Sequence, residues 1–451
     1  MTFRSRAPGG GAVWLLAFLL FPAGAGAQPG GALPGPLPLF PPDNWWNADV
    51  SSAPVDPGSS GFLHFIGEGT FLHPDFGGDA DPFPEIYGFV YVVVPGSQPL
   101  LPVDFVEFGD ESDAGAPGRP PGYPIPPEAK IQPKWIEGGY PGDADPGGDR
   151  HMLLVDRDHR ILFELYHAHW NADAGRWEAG SGAVFPLGSN ARRPAGWTSA
   201  DAAGLAILPG LVRYDEAFGT EPIHHAFRFT AHASNGYVFP ASHDAGSQAG
   251  APPMGTRLRL KAGKDLSSYP PEVRRIFQAM KTYGLILADN GSDMYVQGTY
   301  DTRWNNEVLN PAFASLQAGD FEVVKLGWQP PPAPMPCLPG DTRLCLGASR
   351  FQVETAWTTA ARATGAGHAA PLTADTGTFW FFEPGNLELV VKILDACGAN
   401  GRFWVFAGGL TNVEVTITVT DTLTRAVRRY HNPQGTPFRP LQDIGAFATC
   451  P

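Results

Sequence analysis

Residues 150–170, RHMLLVDRDHRILFELYHAHW, decide the fold class of this chain. Two apolar runs, MLLV at 152–155 and ILFELY at 161–166, flank a charged segment at 156–160. Short apolar runs separated by a few turn-forming residues are typical of two antiparallel strands and the turn that joins them. The stretch therefore predicts a β-hairpin, and we place it at the centre of a β-rich domain.

The composition supports the same fold class. The 451 residues include 55 Gly and 47 Pro, and both residue types destabilise the interior of a helix. A hydrophobic fraction of 43% and an aromatic fraction of 12% are too high for a disordered chain. Collagen is excluded because Gly does not recur at every third position. We predict a mainly β protein with a few helices (α+β), with a sandwich-like or jelly-roll-like first domain.

Local patterns predict further elements around the hairpin. LILADNGSDMYV at 285–296 predicts a second hairpin, because Asn290-Gly291 is a strong two-residue turn signal. Apolar residues recur at helical spacing through 271–283, between Pro271 and Gly284, which predicts a helix. The other elements that we expect are helices at 308–318 and 198–205 and strands at 87–94, 225–230 and 257–261.

The N-terminus predicts export. Arg4 and Arg6 precede an apolar run at 11–21 and small residues at 25–27, the pattern of a signal peptide cleaved after Ala27. We therefore expect a secreted or periplasmic protein. No later run is long and apolar enough to span a membrane. The formal net charge of -14 argues against nucleic acid as a partner, because phosphates would be repelled.

Composition also divides the chain into domains. We expect a Pro/Gly-rich leader at 28–42, a main domain at 43–328, a proline-rich linker at 329–336 and an accessory β-sandwich at 337–451. The strands of the accessory domain are expected at 351–357, 378–382, 387–394, 403–406, 413–420 and 426–430.

Every cysteine lies in the accessory domain. Three disulfide pairings exist for four cysteines, and we favour Cys337 with Cys345 and Cys397 with Cys450. A zinc site is the competing interpretation, although the spacing lacks two close C-x2-C pairs.

Several strings resemble known families. PDNWWNADVSSAPVDPGS, GGDRHMLLVDRD, RPAGWTSADAAG and LILADNGSDMY resemble a large family of secreted bacterial proteins, over most of 43–325. TGTFWFFEPGNLELVVKILDAC and AFATCP resemble a domain that is appended to diverse secreted bacterial proteins. The resemblance implies export and a modular architecture, and it assigns no catalytic residue.

No strong catalytic motif is present, so candidates rest on local patterns. The sequence lacks G-x-S-x-G, H-E-x-x-H, a Walker A loop and a dinucleotide-binding fingerprint. Glu164 lies between apolar residues on the face shared by Leu162 and Tyr166. Burial there would raise the pKa of its carboxyl group and suit it to general acid catalysis. The alternatives are an outward-facing side chain or a salt bridge to an arginine such as Arg228.

Four other residues complete the catalytic candidates. Asp149 could orient His151, as a carboxylate orients a catalytic imidazole, or it could simply end a turn. His225 lies among Phe residues and is either a base or a core histidine. Asp289 precedes the Asn-Gly turn, where aspartate also serves local hydrogen bonding. Asp201 is expected to be a first-turn acid on the helix at 198–205.

Metal sites are predicted with less specificity. His167 and His169 would lie on one face of a strand and could bind a metal with a third ligand, His225 or His243. Two acidic loops, GGDADP at 77–82 and GDADPGGD at 142–149, could hold a structural calcium ion or could be solvated turns. No cofactor is required by any motif.

These features favour a secreted glycan-active enzyme, a glycoside hydrolase or a polysaccharide lyase with a His151/Tyr166 pair, acting on extracellular polysaccharide. In a hydrolase Glu164 would act with Asp149 or Asp289. The alternative is a non-catalytic surface or matrix-binding protein. Exposed tryptophans could stack on sugar rings, whereas buried ones would belong to the core. The candidate rings are Trp45, Trp46, Trp135, Trp170, Trp177, Trp197 and Trp304.

Overall fold

The computed structural model describes residues 26–113, 115, 120–144, 146–330 and 337–450. The protein is mainly β, and it divides into two compact units between Trp328 and Gln329. The division falls at the start of the proline-rich segment. Nearly all of the predicted signal peptide and most of the predicted linker lie outside the described residues.

The described part of the first unit contains fourteen strands and five α-helices. The strands are β1 (Gln28–Pro29), β2 (His73–Asp75), β3 (Tyr91–Val94), β4 (Val103–Phe105), β5 (Met152–Asp156), β6 (Ile161–Tyr166), β7 (His169–Asn171), β8 (Arg176–Ala179), β9 (Ser181–Pro186), β10 (Phe227–Ala231), β11 (Arg257–Leu260), β12 (Leu285–Asn290), β13 (Tyr295–Gln297) and β14 (Phe321–Val323). The helices are α1 (Ser59–Ile66), α2 (Glu128–Ile131), α3 (Tyr214–Ala217), α4 (Pro271–Thr282) and α5 (Asn306–Phe313). Three short 3-10 turns cover Gly109–Glu111, Leu208–Gly210 and Ala318–Asp320.

The predicted central hairpin is confirmed. β5 and β6 pair antiparallel, with Met152 opposite Leu165 and Asp156 opposite Ile161. They form the middle of a five-stranded sheet in the order β1-β3-β5-β6-β9. Apolar side chains are buried on both faces of this sheet, in two separate hydrophobic clusters. One of these clusters joins this sheet to the second sheet of the unit, and the functional site described below forms beside it.

The predicted hairpin at Asn290-Gly291 is wrong. The second sheet has six strands in the order β14-β11-β12-β10-β13-β2, so β10 lies between β12 and β13. β10 pairs parallel with β12 and antiparallel with β13. The connection at 291–294 crosses the carboxyl end of β10, where the Gly291 amide donates to the Ala231 carbonyl. β12 therefore pairs with β10, which is distant in the sequence, and not with β13, which follows it directly.

A smaller sheet completes the first unit, and the other expected strands are shifted at their ends. The order of the small sheet is β4-β8-β7, and it packs in the cluster that covers the outer face of the five-stranded sheet. The strand expected at 87–94 is limited to β3, that at 225–230 corresponds to β10, and that at 257–261 corresponds to β11.

The helix predicted at 271–283 is confirmed as α4. Its apolar face, including Ile276, Phe277 and Met280, is buried in the main core. Gly284 follows the helix with a φ of +79°, which a residue with a side chain rarely adopts. The helix expected at 308–318 begins earlier, as α5, and a 3-10 turn at Ala318–Asp320 follows it.

The helix predicted at 198–205 is wrong, because side chains there satisfy the backbone locally. The Ser199 hydroxyl accepts from the Asp201 amide and is within hydrogen-bond distance of the carbonyls of Asp201 and Leu205. Such bonds offer the backbone an alternative to helix. Gly204 has a φ of +72°, which also interrupts helical geometry. The segment is a buried loop, and it forms one wall of the functional site.

The second unit is a β-sandwich, as predicted. In its described part the elements are β15 (Arg343–Leu346), β16 (Phe351–Thr358), β17 (Thr364–Ala366), β18 (His368–Pro371), β19 (Thr376–Trp380), β20 (Leu389–Ala396), α6 (Cys397–Asn400), β21 (Arg402–Gly409), β22 (Glu414–Asp421), β23 (Val427–Asn432) and β24 (Leu441–Phe447). One sheet has the order β15-β16-β22-β23 with β17 added to β16, and the other has the order β18-β19-β20-β21-β24. A single apolar cluster draws on both sheets. The favoured disulfides, Cys337–Cys345 and Cys397–Cys450, are confirmed.

Candidate functional site

A pocket of about 230 Å³ opens on the first unit beside the hairpin. Tyr166 ends β6 and Ser181 begins β9, and strand pairing places these two residues opposite each other. Asp289 lies near the end of β12, and Asp149 lies shortly before β5. The complete lining is Phe108, Asp149, Tyr166, Ser181, Thr198, Ser199, Ala200, Asp201, Ala202, His243, Ala245, Asp289 and Asn290. The pocket thus unites two of the predicted catalytic residues, Asp149 and Asp289.

A buried ion pair holds the wall of this pocket. Arg228, in the middle of β10, donates from Nε and Nη2 to the two carboxylate oxygens of Asp201, at 3.1 and 2.7 Å. Both residues are buried, and such two-pronged pairing fixes direction as well as distance. The prediction that Asp201 is a first-turn acid of a helix is therefore wrong. Its carboxylate anchors the loop at 198–202 to the second sheet.

Asp289 is a carboxyl group of the pocket whose acidity is altered and which is not held in a two-pronged ion pair. Its Oδ2 lies 3.7 Å from Nη2 of Arg228, whose charge is already shared with Asp201. Burial, and next the nearby Asp201 carboxylate, raise the pKa of Asp289 to about 7, and Arg228 and His151 oppose them only partly. The side chain is half-buried and borders the pocket. A carboxyl group with this acidity can hold a proton near neutral pH and deliver it to a bound molecule.

His151 lies behind the pocket wall and is occupied at both ring nitrogens. Nδ1 donates to Glu137 at 2.6 Å, and Nε2 donates to the carbonyl of Ala200 at 2.9 Å. Burial disfavours the charged form of His151 and therefore acts to lower its pKa. The charge of the Glu137 carboxylate and its hydrogen bond together outweigh burial and raise the pKa of His151 to about 9. An imidazolium with two donated protons has no lone pair to accept another. The prediction of His151 as a base is therefore not supported, and its ring instead packs 5.6 Å from that of Tyr166.

Glu164 is buried as predicted, but it does not reach the pocket. Its carboxyl oxygens accept from the amides of Ile207 and Leu208 at 2.9–3.0 Å, at the start of the 3-10 turn Leu208–Gly210. Burial raises the pKa of Glu164 to about 7, and these backbone bonds oppose the rise. Neither the proton-donor role nor the salt bridge to Arg228 is seen. Glu164 instead ties a buried loop to the hairpin.

His225 belongs to a different cluster. Its Nε2 lies 3.0 Å from Glu216, and its Nδ1 lies 2.9 Å from the Ala226 carbonyl. Burial disfavours the charged form of Glu216, but Arg213 and His225 together lower its pKa to about 2. His225 is a buried histidine with satisfied nitrogens, and it is not among the residues that line the pocket.

The two histidines predicted to bind a metal are engaged in separate pairs. His167 follows β6 with a φ of +53°, so His167 and His169 do not lie on one regular strand. Nδ1 of His167 lies 2.7 Å from Glu107, and Nε2 of His169 lies 3.3 Å from Glu178. Within the described ranges, no group of three or more His, Cys, Asp or Glu side chains is placed to hold a metal ion.

The acidic loops differ in what can be said of them. In the loop at 77–82, Asp79 accepts from Lys134 and from the Tyr300 hydroxyl, both at 2.6 Å. The hydrogen bond from Lys134 is the main reason that the pKa of Asp79 is lowered. In the loop at 142–149, Asp145 lies outside the described residues. Calcium binding by either loop stays a prediction.

Two residues near the pocket, Glu137 and His243, have contacts there that the sequence did not predict. Glu137, the partner of His151, lies in an irregular segment and was found only through its contact. His243 donates through Nδ1 to the Ala202 carbonyl at 2.8 Å. Its other ring nitrogen, Nε2, faces the Glu111 carboxylate. The sequence predicted His243 only as a possible third metal ligand. Neither position has a periodic pattern that could have indicated its role.

Two aromatic residues, Phe108 and Tyr166, border the pocket, and neither is a tryptophan. Phe108 is 40% exposed and lines the pocket. The tryptophans that are buried in the core are Trp46, Trp135, Trp177 and Trp304. None of the seven tryptophans named as candidate rings lines the pocket.

No family model, curated protein or solved structure matches this chain. In the part of the chain that the structure describes, no helix has the length and apolar character needed to cross a membrane.

Proposed function

We propose that the first unit is a glycoside hydrolase that acts on extracellular polysaccharide. The observation that carries the proposal is that Asp149 and Asp289 line one pocket while differing in environment. Asp149 is exposed to solvent, whereas Asp289 is half-buried beside another carboxylate. Two carboxyl groups with different environments are what hydrolysis of a glycosidic bond requires.

The roles follow from these environments. Protonated Asp289 would donate its proton to the glycosidic oxygen as the bond to the sugar carbon breaks. Asp149 would act on that carbon, either directly or by taking a proton from the attacking water. Water supplies the hydroxyl group of the new sugar end and returns a proton to the enzyme. Arg228 and His151 act as positioning residues, because they hold the loop that carries Ala200 and Asp201.

The charge of the pocket favours a hydrolase over a lyase. Polysaccharide lyases act on uronic acids, whose carboxylates would meet the Asp149 carboxylate and be repelled. His151, the base of the lyase alternative, donates from both nitrogens. Neutral or amino-bearing sugars suit an acidic pocket better.

The size of the pocket restricts what it can hold. About 230 Å³ is less than the roughly 300–1,000 Å³ typical of ligand pockets. Phe108 offers a partly exposed ring, and Tyr166 offers a hydroxyl group, whereas the Ser181 hydroxyl already donates to the Ser199 carbonyl. We propose that the pocket takes a single sugar unit at a chain end. Export is part of the same proposal, supported by the N-terminal sequence pattern and by the two disulfides.

The proposal is tested by measuring sugar release from neutral and amino-bearing polysaccharides and from aryl glycosides. Asp289→Asn and Asp149→Asn should each lower kcat by roughly 100-fold or more, the usual effect of removing a general acid or base. Asp173→Asn, at an exposed position in the turn between β7 and β8, is the matched control and should retain full activity. Activity should fall as pH rises through about 7, because Asp289 then loses its proton.

Two results would contradict this assignment. Full activity in Asp289→Asn would remove the proposed proton donor. Binding of a polysaccharide by the wild-type protein, without release of sugar from any substrate, would favour the non-catalytic alternative.

A further inference from the structure

A second pocket, unrelated to the proposed hydrolase site, lies at one end of the β-sandwich unit. Three loops form it: 381–388 joins the paired strands β19 and β20, whereas 410–413 between β21 and β22 and 433–440 between β23 and β24 each cross from one sheet to the other. Its volume is about 550 Å³. The loops that meet at this end carry two glutamates and one arginine, so their formal charge is negative.

A buried carboxyl group borders this pocket. Glu388 is only 5% exposed, yet it is one of the lining residues. One of its oxygens accepts from the Asn386 amide. No positively charged side chain pairs with it in the described part of the chain. Burying a carboxylate without a cation is costly, which points to a positively charged occupant.

Apolar and aromatic residues line the same pocket as this carboxyl group. Phe382 is 48% exposed, and its ring lies 5.0 Å from that of Trp357, which supports it from behind. A Cβ on Gly409 would lie 2.5 Å from the Phe438 ring, so the glycine allows that ring to lie directly on β21. Leu410 adds an exposed apolar side chain. Both rings are therefore held in place by neighbouring residues.

We propose that this pocket binds an organic ammonium group, such as a quaternary ammonium ion. Aromatic faces attract cations, and the attraction increases when the cation leaves water. The Glu388 carboxylate supplies the opposite charge, and the phenylalanine rings and Leu410 cover the apolar carbons around the nitrogen. A neutral ligand of the same shape would leave the buried carboxylate without compensation.

The test compares choline with its neutral isostere 3,3-dimethylbutan-1-ol on the full chain, by calorimetric titration at constant ionic strength. Choline should bind at least 10-fold more tightly than the isostere. Glu388→Gln should weaken choline binding at least 10-fold, and Phe382→Ala should weaken it several-fold. Leu372→Ala, which changes an exposed apolar residue that does not line the pocket, should bind choline like the wild type.

The design separates binding from folding. Phe382→Ala changes a half-exposed ring, so the proposal can be tested even if Glu388→Gln fails to fold. Equal binding of the neutral isostere, no binding of choline, or unchanged choline affinity in a folded Glu388→Gln protein would each overturn the proposal.

Discussion

Three carboxyl groups near the first pocket, those of Glu164, Asp201 and Asp289, have different neighbours. Glu164 accepts from backbone amides, Asp201 pairs with Arg228, and Asp289 stands at the edge of that pair. Burial acts on all three to raise the pKa. Their neighbours and their access to the pocket therefore decide which carboxyl group can exchange a proton with a ligand.

Glu164 should make stability depend on pH. Its pKa is about 7 in the folded protein against 4.5 without burial, so protonation favours folding. The contribution is fully present below pH 4.5 and is lost as pH rises through about 7. The loss is on the order of 3 kcal/mol for such a shift.

The measurement is urea unfolding of the wild-type protein and of Glu164→Gln, at pH values between 4.5 and 8. The free energy of unfolding should fall more steeply with pH in the wild type, because glutamine does not titrate. The other titrating groups, Asp289 included, are present in both proteins. Parallel pH profiles would show that Glu164 does not ionise in this range.

At the scale of elements, the parallel pairing of β10 with β12 shapes the site. β10 carries Arg228 and β12 carries Asp289, and the pairing brings the two side chains together. The chain between these strands includes β11 and α4. It turns sharply between the end of α4 and the start of β12. Gly284 lies in this turn, and its carbonyl accepts a hydrogen bond from the Phe227 amide of β10.

Gly284→Ala should destabilise the first unit by more than about 1 kcal/mol, as expected for a side chain at a positive φ. An added Cβ would also lie 2.3 Å from the Leu258 carbonyl oxygen. Gly263→Ala is the matched control, since a Cβ there meets nothing within 4 Å. The free energy of unfolding of both variants, measured in urea, checks the prediction. Equal stability of the two variants would count against the tight entry into β12.

At the scale of the whole molecule, the two units are stabilised differently. The first unit has a large apolar core and no cysteine. The second unit has a smaller core and two disulfides, which join residues 8 and 53 positions apart. A crosslink that closes a longer loop restricts the unfolded chain more.

Removal of Cys397–Cys450 by paired Ser substitutions should therefore cost more stability than removal of Cys337–Cys345, by about 1–2 kcal/mol in the loop-entropy model. Hydrogen exchange followed by mass spectrometry gives the stability of each strand. Exchange in β21 and β24 should accelerate more when Cys397–Cys450 is removed than when Cys337–Cys345 is removed. Strands β5 and β6, in the cysteine-free unit, serve as the internal reference. A larger effect from the short loop would contradict loop closure as the cause.

The sequence alone determined features that depend on neighbouring residues. The β5–β6 hairpin, α4 and the sandwich strands follow from apolar periodicity and from turn or end signals such as Pro271 and Gly284. The favoured disulfides also followed from sequence position, although alternatives stayed open there. The hairpin and the helix can be predicted because residues close together in the chain stabilise them, and the accessory strands and cysteines can be located because their residue types and spacing are local signals.

Only the tertiary structure showed which residues form the site and which side chains pair with one another. Sequence patterns could not show that β10 separates β12 from β13, that Asp201 pairs with Arg228, or that Glu137 holds His151. They made Glu164 a candidate for burial but could not show whether its carboxyl group meets a pocket, solvent or backbone amides. Burial and charge pairing set the pKa of each group, and both arise from residues far apart in the chain.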